Sequence, residues 1–217
     1  GRAAGASVRV VDVSLDHDVW GDERVSRSCG SIDREDAMDD DQVIRSLQIG
    51  QRVADQEVDS GVDLLIAGDL GIGNTTPAAA LIGAMTSTEP VVVVGRGTGI
   101  DDEGWKRKVT AVRDAMYRVR AIKHDPIAVL KAISSPDLAA MAGFLAQAAV
   151  RRTPVLLDGV VVTSAALMAN KLAPGARKWW VAGHKGAEPA HILALNSLHL
   201  DPLLDFGMRL GEGSGAA

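Results

Sequence analysis

The sequence predicts an α/β fold of the Rossmann-like, three-layer type, with a mostly parallel sheet flanked by helices. The main observation is a repeated unit: a short run of β-branched residues, a glycine-rich turn, and then a helical pattern. Four good instances and one partial instance follow one another along the chain. A length of 217 residues is enough for one substantial core, so we expect a single domain over residues 1–217.

The N-terminal part is predicted to contain one strand and one long helix. The run "VRVVDV" at residues 8–13 is typical of a strand, and we expect the polar residues 14–36 after it to be mobile. Acids at residues 39–41 suit the N-terminus of a helix. The spacing of Val43, Leu47, Gly50 and Ala54 then places these residues on one helical face.

Two complete units follow. The first has a buried strand at residues 63–67, a glycine turn, and a helix capped by Thr76 with Pro77 at its first position. The second opens with "PVVVV" at residues 90–94, which predicts another strand, and continues into a helix. The apolar positions of that helix include Trp105, which we interpret as a core residue and not as a ligand.

The C-terminal part repeats the pattern. A further helix is predicted over residues 136–151. The segment "TPVLLDGVVVTSAALMANKLAPG" (153–175) predicts a strand, a turn at Asp158-Gly159 and a helix. The segment "KWWVAGHKGAEPAHILALNSL" (178–198) predicts the last strand, a loop, and a helix that begins near Pro189.

Composition excludes several classes of protein. A net charge of −5 offers no basic surface for nucleic acid. Cys29 is the only cysteine, which rules out an internal disulfide and a thiolate metal cluster and fits a reducing cytoplasm. The apolar runs are strand-sized, shorter than the roughly 20 residues that cross a bilayer. The N-terminus lacks the pattern of a signal peptide, so we expect a cytoplasmic chain without a membrane span.

The glycine turns indicate a binding site. In open parallel sheets, ligands bind beyond the carboxyl ends of the strands, and each turn is predicted to lie there. Glycines let backbone N–H groups approach an anion, and the following helix N-terminus adds a favourable dipole, so phosphate is the natural ligand. Any one of these segments could be simply a tight turn, but three of them in register favour a site.

The familiar nucleotide signatures are absent. "GDLGIGNT" lacks the Gly-Lys-Ser/Thr of a Walker A loop, and "GRGTGIDD" has Asp102 where the dinucleotide fingerprint has its third glycine. Ser164 does not lie in a Gly-x-Ser-x-Gly elbow, which argues against a hydrolase triad. A phosphate site of another kind is left.

A metal site is not predicted. His184, Glu188 and His191 fall at helical intervals of four and three. Gly186 and Pro189 interrupt a continuous helix across them, and the pattern is not His-Glu-x-x-His.

Five motifs taken together resemble a known family: "GDLGIGNTTPAAAL" (68–81), "GRGTGIDDEGWKRK" (95–108), "AAMAGFLAQAAVRRTPVLLDGVVVTSAAL" (139–167), "GHKGAEPAH" (183–191) and "LGEGSGA" (210–216). In order, and over nearly the whole chain, they are similar to the nicotinate-nucleotide:5,6-dimethylbenzimidazole phosphoribosyltransferases of cobalamin biosynthesis.

The resemblance implies transfer of the phosphoribosyl group of nicotinate mononucleotide to 5,6-dimethylbenzimidazole with inversion, which gives α-ribazole 5′-phosphate and nicotinate. Glu212 matches the proposed general base of the family, Lys108 matches a lysine close to the substrate, and Asp69 can balance positive charge on the ribosyl ring. No metal or organic cofactor is implied. Two alternatives stay open: transfer to another azole or to a phenolic acceptor, and an inactive nucleotide-binding module.

The resemblance also implies a set of substrate-binding residues. The loop after the strand at 63–67 and the turn after "PVVVV" correspond to the cradle for the 5′-phosphate and ribose, Asp158 and Gly159 lie in a loop that lines the nucleotide, as does Gly186, and Leu210 packs on the benzimidazole. The cradle residues are Gly71, Gly73, Asn74, Thr75, Thr76, Gly97, Thr98 and Gly99.

The sequence departs from the family pattern at two places. Asp69 stands where the family often has Glu, and Ser134-Ser135 stands where it usually has Gly-Gly, a cost in stability if those positions need positive φ. Family members are typically longer at both ends than this chain. We therefore expect a homodimer for the full-length protein, with part of the benzimidazole pocket contributed by segments outside these 217 residues.

Overall fold

The structure, a computed structural model, describes residues 1–97 and 99–217. Its centre is a sheet of four parallel strands in the order β1-β2-β3-β4: β1 (Leu65–Ile66), β2 (Val155–Leu157), β3 (Trp180–Gly186) and β4 (Pro202–Met208). Leu65 pairs with Val155, which pairs in turn with Trp180. The predicted α/β fold with a parallel sheet is confirmed.

Helices surround the sheet. Within the described residues these are α1 (Asp40–Asp59), α2 (Thr75–Thr86), α3 (Pro90–Val93), α4 (Asp102–Arg118), α5 (Pro126–Ile133), α6 (Pro136–Val150), α7 (Val160–Leu172) and α8 (Pro189–Leu198). Short 3₁₀ turns lie at Arg2–Ala4 and Ala176–Trp179. None of the helices in the described part of the chain is both long and apolar enough to cross a membrane.

The core consists mainly of small side chains on closely packed helices. Alanines of α2, α6 and α7 are almost fully buried, as are Leu81, Leu138 and Met168. Where α1 crosses α6, a Cβ on Gly50 would collide with the carbonyl oxygen of Ala140, so only glycine allows this approach. Trp105 packs against the core and donates its Nε1–H to the carbonyl oxygen of Val94 at 2.9 Å, as its interpretation as a core residue requires.

The strand predicted at residues 8–13 is wrong. Val8 and Val10 are exposed, and no ladder pairs this segment with the sheet in the described structure. The segment is held instead by the fully buried Arg24, whose Nε donates to Asp12 at 2.8 Å and whose Nη2 donates to the carbonyl of Val19 at 3.2 Å. The prediction fails because the segment is fixed by the Arg24 side chain and by a backbone bond from Val25 N–H to the carbonyl of Val13 at 2.8 Å, and it pairs with no strand of the sheet among the described residues.

The strand predicted at "PVVVV" is also wrong, because these residues form helix α3. Pro90 occupies the first helical position, where its fixed φ and missing N–H suit a helix start. The backbone bonds are local: Val93 N–H donates to Glu89 and Val94 N–H donates to Pro90, at 3.1 and 3.0 Å. Burial of Val93 and Val94 against the core outweighs their preference for a strand.

Three further details differ from the prediction. Helix α2 begins at Thr75, with Asn74 before it and no side-chain cap, so Thr76 is not the cap. Helix α5 and strand β4 were not predicted. Consecutive residues of β4, from Leu203 to Gly207, are all exposed. The strand therefore lacks the alternation of buried and exposed positions that identifies a half-buried strand.

Candidate active site at the carboxyl ends of the strands

The C-terminal loop, residues 209–217, lies over the carboxyl ends of β1 and β2 and against the middle of β3. A Cβ on Gly68, which follows β1, would collide with the backbone of Glu212 and Gly213. A Cβ on Gly159, after β2, would lie 3.0 Å from the carbonyl oxygen of Leu210, and one on Gly183, in β3, would lie 3.0 Å from Cα of Ala216. The absence of side chains at these three glycines therefore lets the loop lie directly on the sheet edge.

Asp158 holds the C-terminal loop in place. Its side chain is almost fully buried at the end of β2. Its Oδ2 accepts the N–H of Gly213 and its Oδ1 accepts the N–H of Gly215, both at 2.9 Å. A carboxylate that accepts two backbone N–H groups makes charge-assisted hydrogen bonds, which are stronger than neutral ones.

Glu212 lies at the tip of the C-terminal loop. Its backbone is left-handed, with a φ of 61°, a conformation that L-residues other than glycine rarely adopt. Its side chain is exposed, and among the described residues no hydrogen bond or ion pair engages its carboxylate. The carboxylate is therefore accessible to a ligand at the sheet edge.

Asp69 lies beside Glu212 in a group of three acids. Asp69 Oδ2 accepts a hydrogen bond from Asn74 Nδ2 at 2.7 Å. Burial raises the pKa of Asp69 to about 7, with a further contribution from the nearby Asp137 carboxylate and a smaller one from Glu212. Asn74 acts in the opposite direction because it stabilises the ionised form. At neutral pH the Asp69 carboxyl group is therefore poised between its two charge states.

Lys108 and Thr75 form the polar group on the other side of the glycine loop. Lys108 Nζ donates to Thr75 Oγ1 at 2.8 Å, and a Cβ on Gly97 would lie within 4 Å of both atoms. Burial lowers the pKa of Lys108, and the neighbouring Glu188 carboxylate opposes that shift. A cation, a hydroxyl and the N-terminus of α2 thus surround one position, which suits a phosphate group.

Glu188 supports the turn before α4. Its Oε1 accepts the N–H of Gly97 at 3.0 Å, and its carboxylate lies directly against Gly95, where a Cβ would collide with it. Gly97 and Gly99 both have positive φ, with values of 55° and 109°. Glycine adopts both conformations without the strain that a side chain would add, and the contact with Glu188 leaves no room for a Cβ at Gly95.

The structure brings most of the predicted site residues to one edge of the sheet. Gly71 lies near Asn74 and Asp69, Gly73 has a positive φ of 89°, and Thr76 lies in the first turn of α2. Leu210 is exposed beside Gly159. Thr98, which was predicted in the cradle, lies outside the described residues.

Two predicted contacts lie deeper than the others. Gly186 is buried at the end of β3, and its N–H donates to His191 Nδ1 at 3.0 Å. Asp158 is occupied by the C-terminal loop, as described above. Direct contact of either residue with a substrate stays a prediction.

Sequence reasoning missed Asp137 and Glu188 as members of the site. Asp137 stands in the "DLAAMAGF" stretch, in the first turn of α6, where an acid also satisfies the helix dipole. In the sequence, Glu188 stands out only by its spacing from His184 and His191, which would suit a metal ligand. Its position one residue before Pro189, at the N-terminus of α8, was the available signal that its carboxylate faces a loop.

Ser134 and Ser135 adopt ordinary backbone conformations. Their φ values are −104° and −156°, so the positive φ that would penalise serine does not occur. Ser134 Oγ donates to the carbonyl of Leu130 at 2.6 Å, whereas the buried Ser135 Oγ has no partner among the described residues.

The histidines near the site are packed inside the fold. His184 and His191 are fully buried, with ring centroids 5.6 Å apart. Burial lowers the pKa of His191 to about 4, with His184 adding to the shift. The described residues contain no group of three or more His, Cys, Asp or Glu side chains arranged to hold a metal ion.

A phosphate-sized polar group, an exposed carboxylate and an acid with a raised pKa lie together at the edge of a parallel sheet, an arrangement that suits the class of α/β proteins that bind phosphorylated sugars. The family model described as "Phosphoribosyltransferase" matches residues 1–217, and the chain belongs to this family. The resemblance to the nicotinate-nucleotide:dimethylbenzimidazole phosphoribosyltransferases is confirmed by named relatives.

Relatives of that name occur in several bacteria. The chain is 73% identical over 216 residues to the nicotinate-nucleotide-dimethylbenzimidazole phosphoribosyltransferase of Corynebacterium glutamicum strain R, a match that covers 100% of this chain and 60% of the relative. The protein of that name from Mycobacterium ulcerans is 59% identical over 98% of this chain and 61% of its own length. The chain thus spans about three fifths of the curated relatives it matches.

Solved structures of this family have the same fold as the chain. The crystal structure of the enzyme of that name from Thermus thermophilus superposes with a TM-score of 0.92 at 37% identity, over 99% of this chain and 65% of the other. A second crystal structure, of CobT from the same organism, gives a TM-score of 0.87 at 40% identity, over 95% of this chain and 62% of the other.

Proposed function

We propose that this chain carries the site for transfer of the phosphoribosyl group of nicotinate mononucleotide to 5,6-dimethylbenzimidazole, with inversion at the ribosyl carbon. The products are α-ribazole 5′-phosphate and nicotinate. The observation that carries the proposal is the placement of Glu212 beside Asp69, with Asn74 and Thr75 linking Asp69 to Lys108 along one edge of the sheet.

The donor nucleotide is held at its phosphate. Lys108 Nζ and Thr75 Oγ1 bond to each other and turn their remaining hydrogen-bonding capacity to the 5′-phosphate. The N-terminus of α2 and the N–H groups of the glycine loop add to the attraction for a dianion. A phosphate beside Lys108 also favours its ammonium form and so offsets the effect of burial.

The leaving group needs no proton. Nicotinate is attached through a pyridinium nitrogen, which becomes neutral as the bond to the ribosyl carbon breaks. The unprotonated ring nitrogen of 5,6-dimethylbenzimidazole forms the new bond to the ribosyl carbon. The other ring nitrogen must then lose its proton, and the exposed Glu212 carboxylate takes it. The neighbouring Gly211 and Gly213 leave space for a flat heterocycle against the carboxylate.

Asp69 acts on the charge that develops during transfer. Positive charge spreads over the ribosyl ring as nicotinate leaves, and an ionised carboxylate nearby lowers its energy. The pKa of Asp69 is about 7 in the free protein, and the positive pyridinium of the bound nucleotide shifts the balance towards the ionised form. Substrate binding therefore charges the acid that the transition state uses.

We also propose the biological setting of this reaction. The reaction supplies the lower ligand of cobalamin, the protein acts in the cytoplasm, and the full-length protein is a homodimer. The names of the relatives support the substrates, and the low cysteine content supports the compartment.

The test is incubation of the chain with nicotinate mononucleotide and 5,6-dimethylbenzimidazole, followed by chromatography of nicotinate and NMR of the nucleoside product. We expect acceptor-dependent nicotinate release and an α-configured product. Release without acceptor would show a hydrolase, and release only with a purine or a phenol would show a transferase of another specificity. Binding of the nucleotide without any release would contradict catalysis by this chain.

A further inference from the structure

The C-terminal loop is strained at the residue that matters most for the proposed reaction. Glu212 has a left-handed backbone, which costs a non-glycine residue on the order of 1 kcal/mol or more. No contact of its own carboxylate compensates for this cost among the residues that the structure describes. Other groups must therefore fix the loop.

Within the loop, the hydrogen bonds are short-range. Ser214 N–H and Oγ both donate to the carbonyl of Gly211, at 2.9 and 2.5 Å, and Ala217 N–H donates to Gly213 at 3.1 Å. These bonds shape the turn but do not tie it to the sheet. Among the described residues, the hydrogen bonds that do so are the two from the N–H groups of Gly213 and Gly215 to the carboxylate of Asp158.

We propose that Asp158 is a positioning residue, which fixes Glu212 over the carboxyl end of β1 by anchoring the backbone on both sides of the Gly213-Ser214 peptide. This inference rests on the proposed function only for the catalytic consequence. Asp158 contacts the loop from beneath and is almost fully buried, so it acts through Glu212 and not on the substrate.

The surroundings of Asp158 make the anchor sensitive to small changes. His184 Nδ1 lies 3.8 Å from Asp158 Oδ1, and both nitrogens of the buried His184 ring lack partners among the described residues. A Cβ on Gly215 would collide with the His184 ring and approach Asp158 Oδ1 at 2.7 Å. The loop can therefore be displaced from either side, by changing Asp158 or by enlarging Gly215.

The replacement Asp158→Asn tests the anchor with little change of volume. An amide offers one oxygen in place of two and directs its NH₂ group at the other loop N–H, so at least one bond is lost. Gly215→Ala disturbs the same contact from the loop side. Ser164→Ala is the matched control, because Ser164 is fully buried in α7 and its Oγ donates to the carbonyl of Val161 at 2.7 Å, one turn earlier in the same helix.

Two measurements distinguish a positioning role of Asp158 from a general role in the stability of the fold. Amide hydrogen exchange should become about tenfold faster or more at Gly213 and Gly215 in both test variants, while amides of β2 and α7 keep their protection. In the transfer assay, kcat should decrease by a similar factor of roughly ten or more, with KM for nicotinate mononucleotide changed less than about twofold. Ser164→Ala should match the unaltered chain in both.

Three results would overturn the inference. Unchanged exchange at Gly213 and Gly215 in Asp158→Asn would show that Asp158 does not hold the loop. A raised KM with an unchanged kcat would show that Asp158 binds the substrate directly. Equal losses in Ser164→Ala would show general damage to the fold. If the unaltered chain transfers nothing, the proposed function fails, and the exchange experiment alone still decides the anchor.

Discussion

Asp69 carries a carboxyl group whose protonation is coupled to folding. The unfolded chain ionises it near the ordinary pKa of 3.8, whereas the folded chain does so near 7. Between these pH values the folded state holds a proton that the unfolded state has lost, so the free energy of unfolding decreases as pH rises across that window. Above it, this contribution is constant.

We therefore expect Asp69→Asn to flatten the dependence of stability on pH between about pH 4 and pH 7. The measurement is urea denaturation at a series of pH values. Asp63→Asn, which alters an exposed acid just before β1, is the control and should keep the slope of the unaltered chain. An unchanged slope in Asp69→Asn would show that burial of this carboxyl group is not coupled to folding.

Ser134 and Ser135 make opposite contributions although they are neighbours. Ser134→Ala loses the bond to Leu130 and should lower the free energy of unfolding by about 1 kcal/mol. Ser135→Ala removes a buried hydroxyl without a partner among the described residues and should raise it by about 1 kcal/mol. Chemical denaturation of both variants checks this, and a loss of stability in Ser135→Ala would reveal a partner for its hydroxyl.

For single residues, the identity of the site residues could be predicted from the sequence, but the surroundings that set their pKa values could not. The match to the family motifs pointed to Glu212, Asp69 and Lys108, and the structure brings all three to one sheet edge. The approach of Asp137 to Asp69 depends on where the tertiary fold places the first turn of α6 relative to the loop after β1. No local pattern encodes that distance, so the raised pKa of Asp69 could not be predicted.

Among the elements, the contact of α1 with α6 depends on glycines. A Cβ on Gly50 would meet the backbone of Ala140 and Phe144, and one on Gly143 would meet the backbone of Leu47. Gly83 in α2 differs, because a Cβ there would meet the flexible end of the Met116 side chain, with Sδ at 2.7 Å. The backbone of α6 cannot move aside for a new methyl group, whereas the flexible Met116 side chain can.

We expect Gly50→Ala to lower the free energy of unfolding by about 1–3 kcal/mol, despite the better helix propensity of alanine. Gly83→Ala should be about neutral, since the propensity gain of roughly 1 kcal/mol offsets the displacement of Met116. Thermal unfolding of both variants is the measurement. An unchanged free energy of unfolding in Gly50→Ala would mean that α1 and α6 can move apart at no cost.

Elements with strong periodicity were predictable, and elements set by tertiary contacts were not. Helices α1, α4, α6 and α7 and strands β1 to β3 follow their apolar patterns. Residues 8–13 and "PVVVV" have strand-forming composition, yet Arg24 fixes the first and Pro90 starts a helix in the second. Strand β4 carries exposed leucines and a phenylalanine, a pattern that does not alternate.

For the whole molecule, ligand binding should appear as added stability. A ligand that binds only the folded state stabilises it by about 2.7 kcal/mol at a concentration 100 times its Kd. We expect nicotinate mononucleotide to raise the melting temperature of the chain, and Lys108→Met to abolish most of the increase, because the phosphate loses its cation. Lys106→Met is the control, since Lys106 is exposed and pairs with Glu103.

A full increase of the melting temperature in Lys108→Met would place the phosphate elsewhere.

The overall architecture followed from the repeated unit and from the position of glycine turns after strands, which is a property of parallel sheets in general. Whether residues 1–217 form one domain, and how the full-length protein assembles, stay predictions, because a single chain does not contain the contacts that decide assembly.

The most direct test of the account compares nicotinate release by the unaltered chain with release by its Glu212→Gln variant, with 5,6-dimethylbenzimidazole as the acceptor. This substitution keeps the size of the side chain and does not alter the anchor at Asp158, but it removes the base. We predict a decrease of roughly 10²- to 10⁴-fold in kcat with unchanged binding of nicotinate mononucleotide. Release at the rate of the unaltered chain would contradict the assignment of Glu212 as the group that accepts the proton.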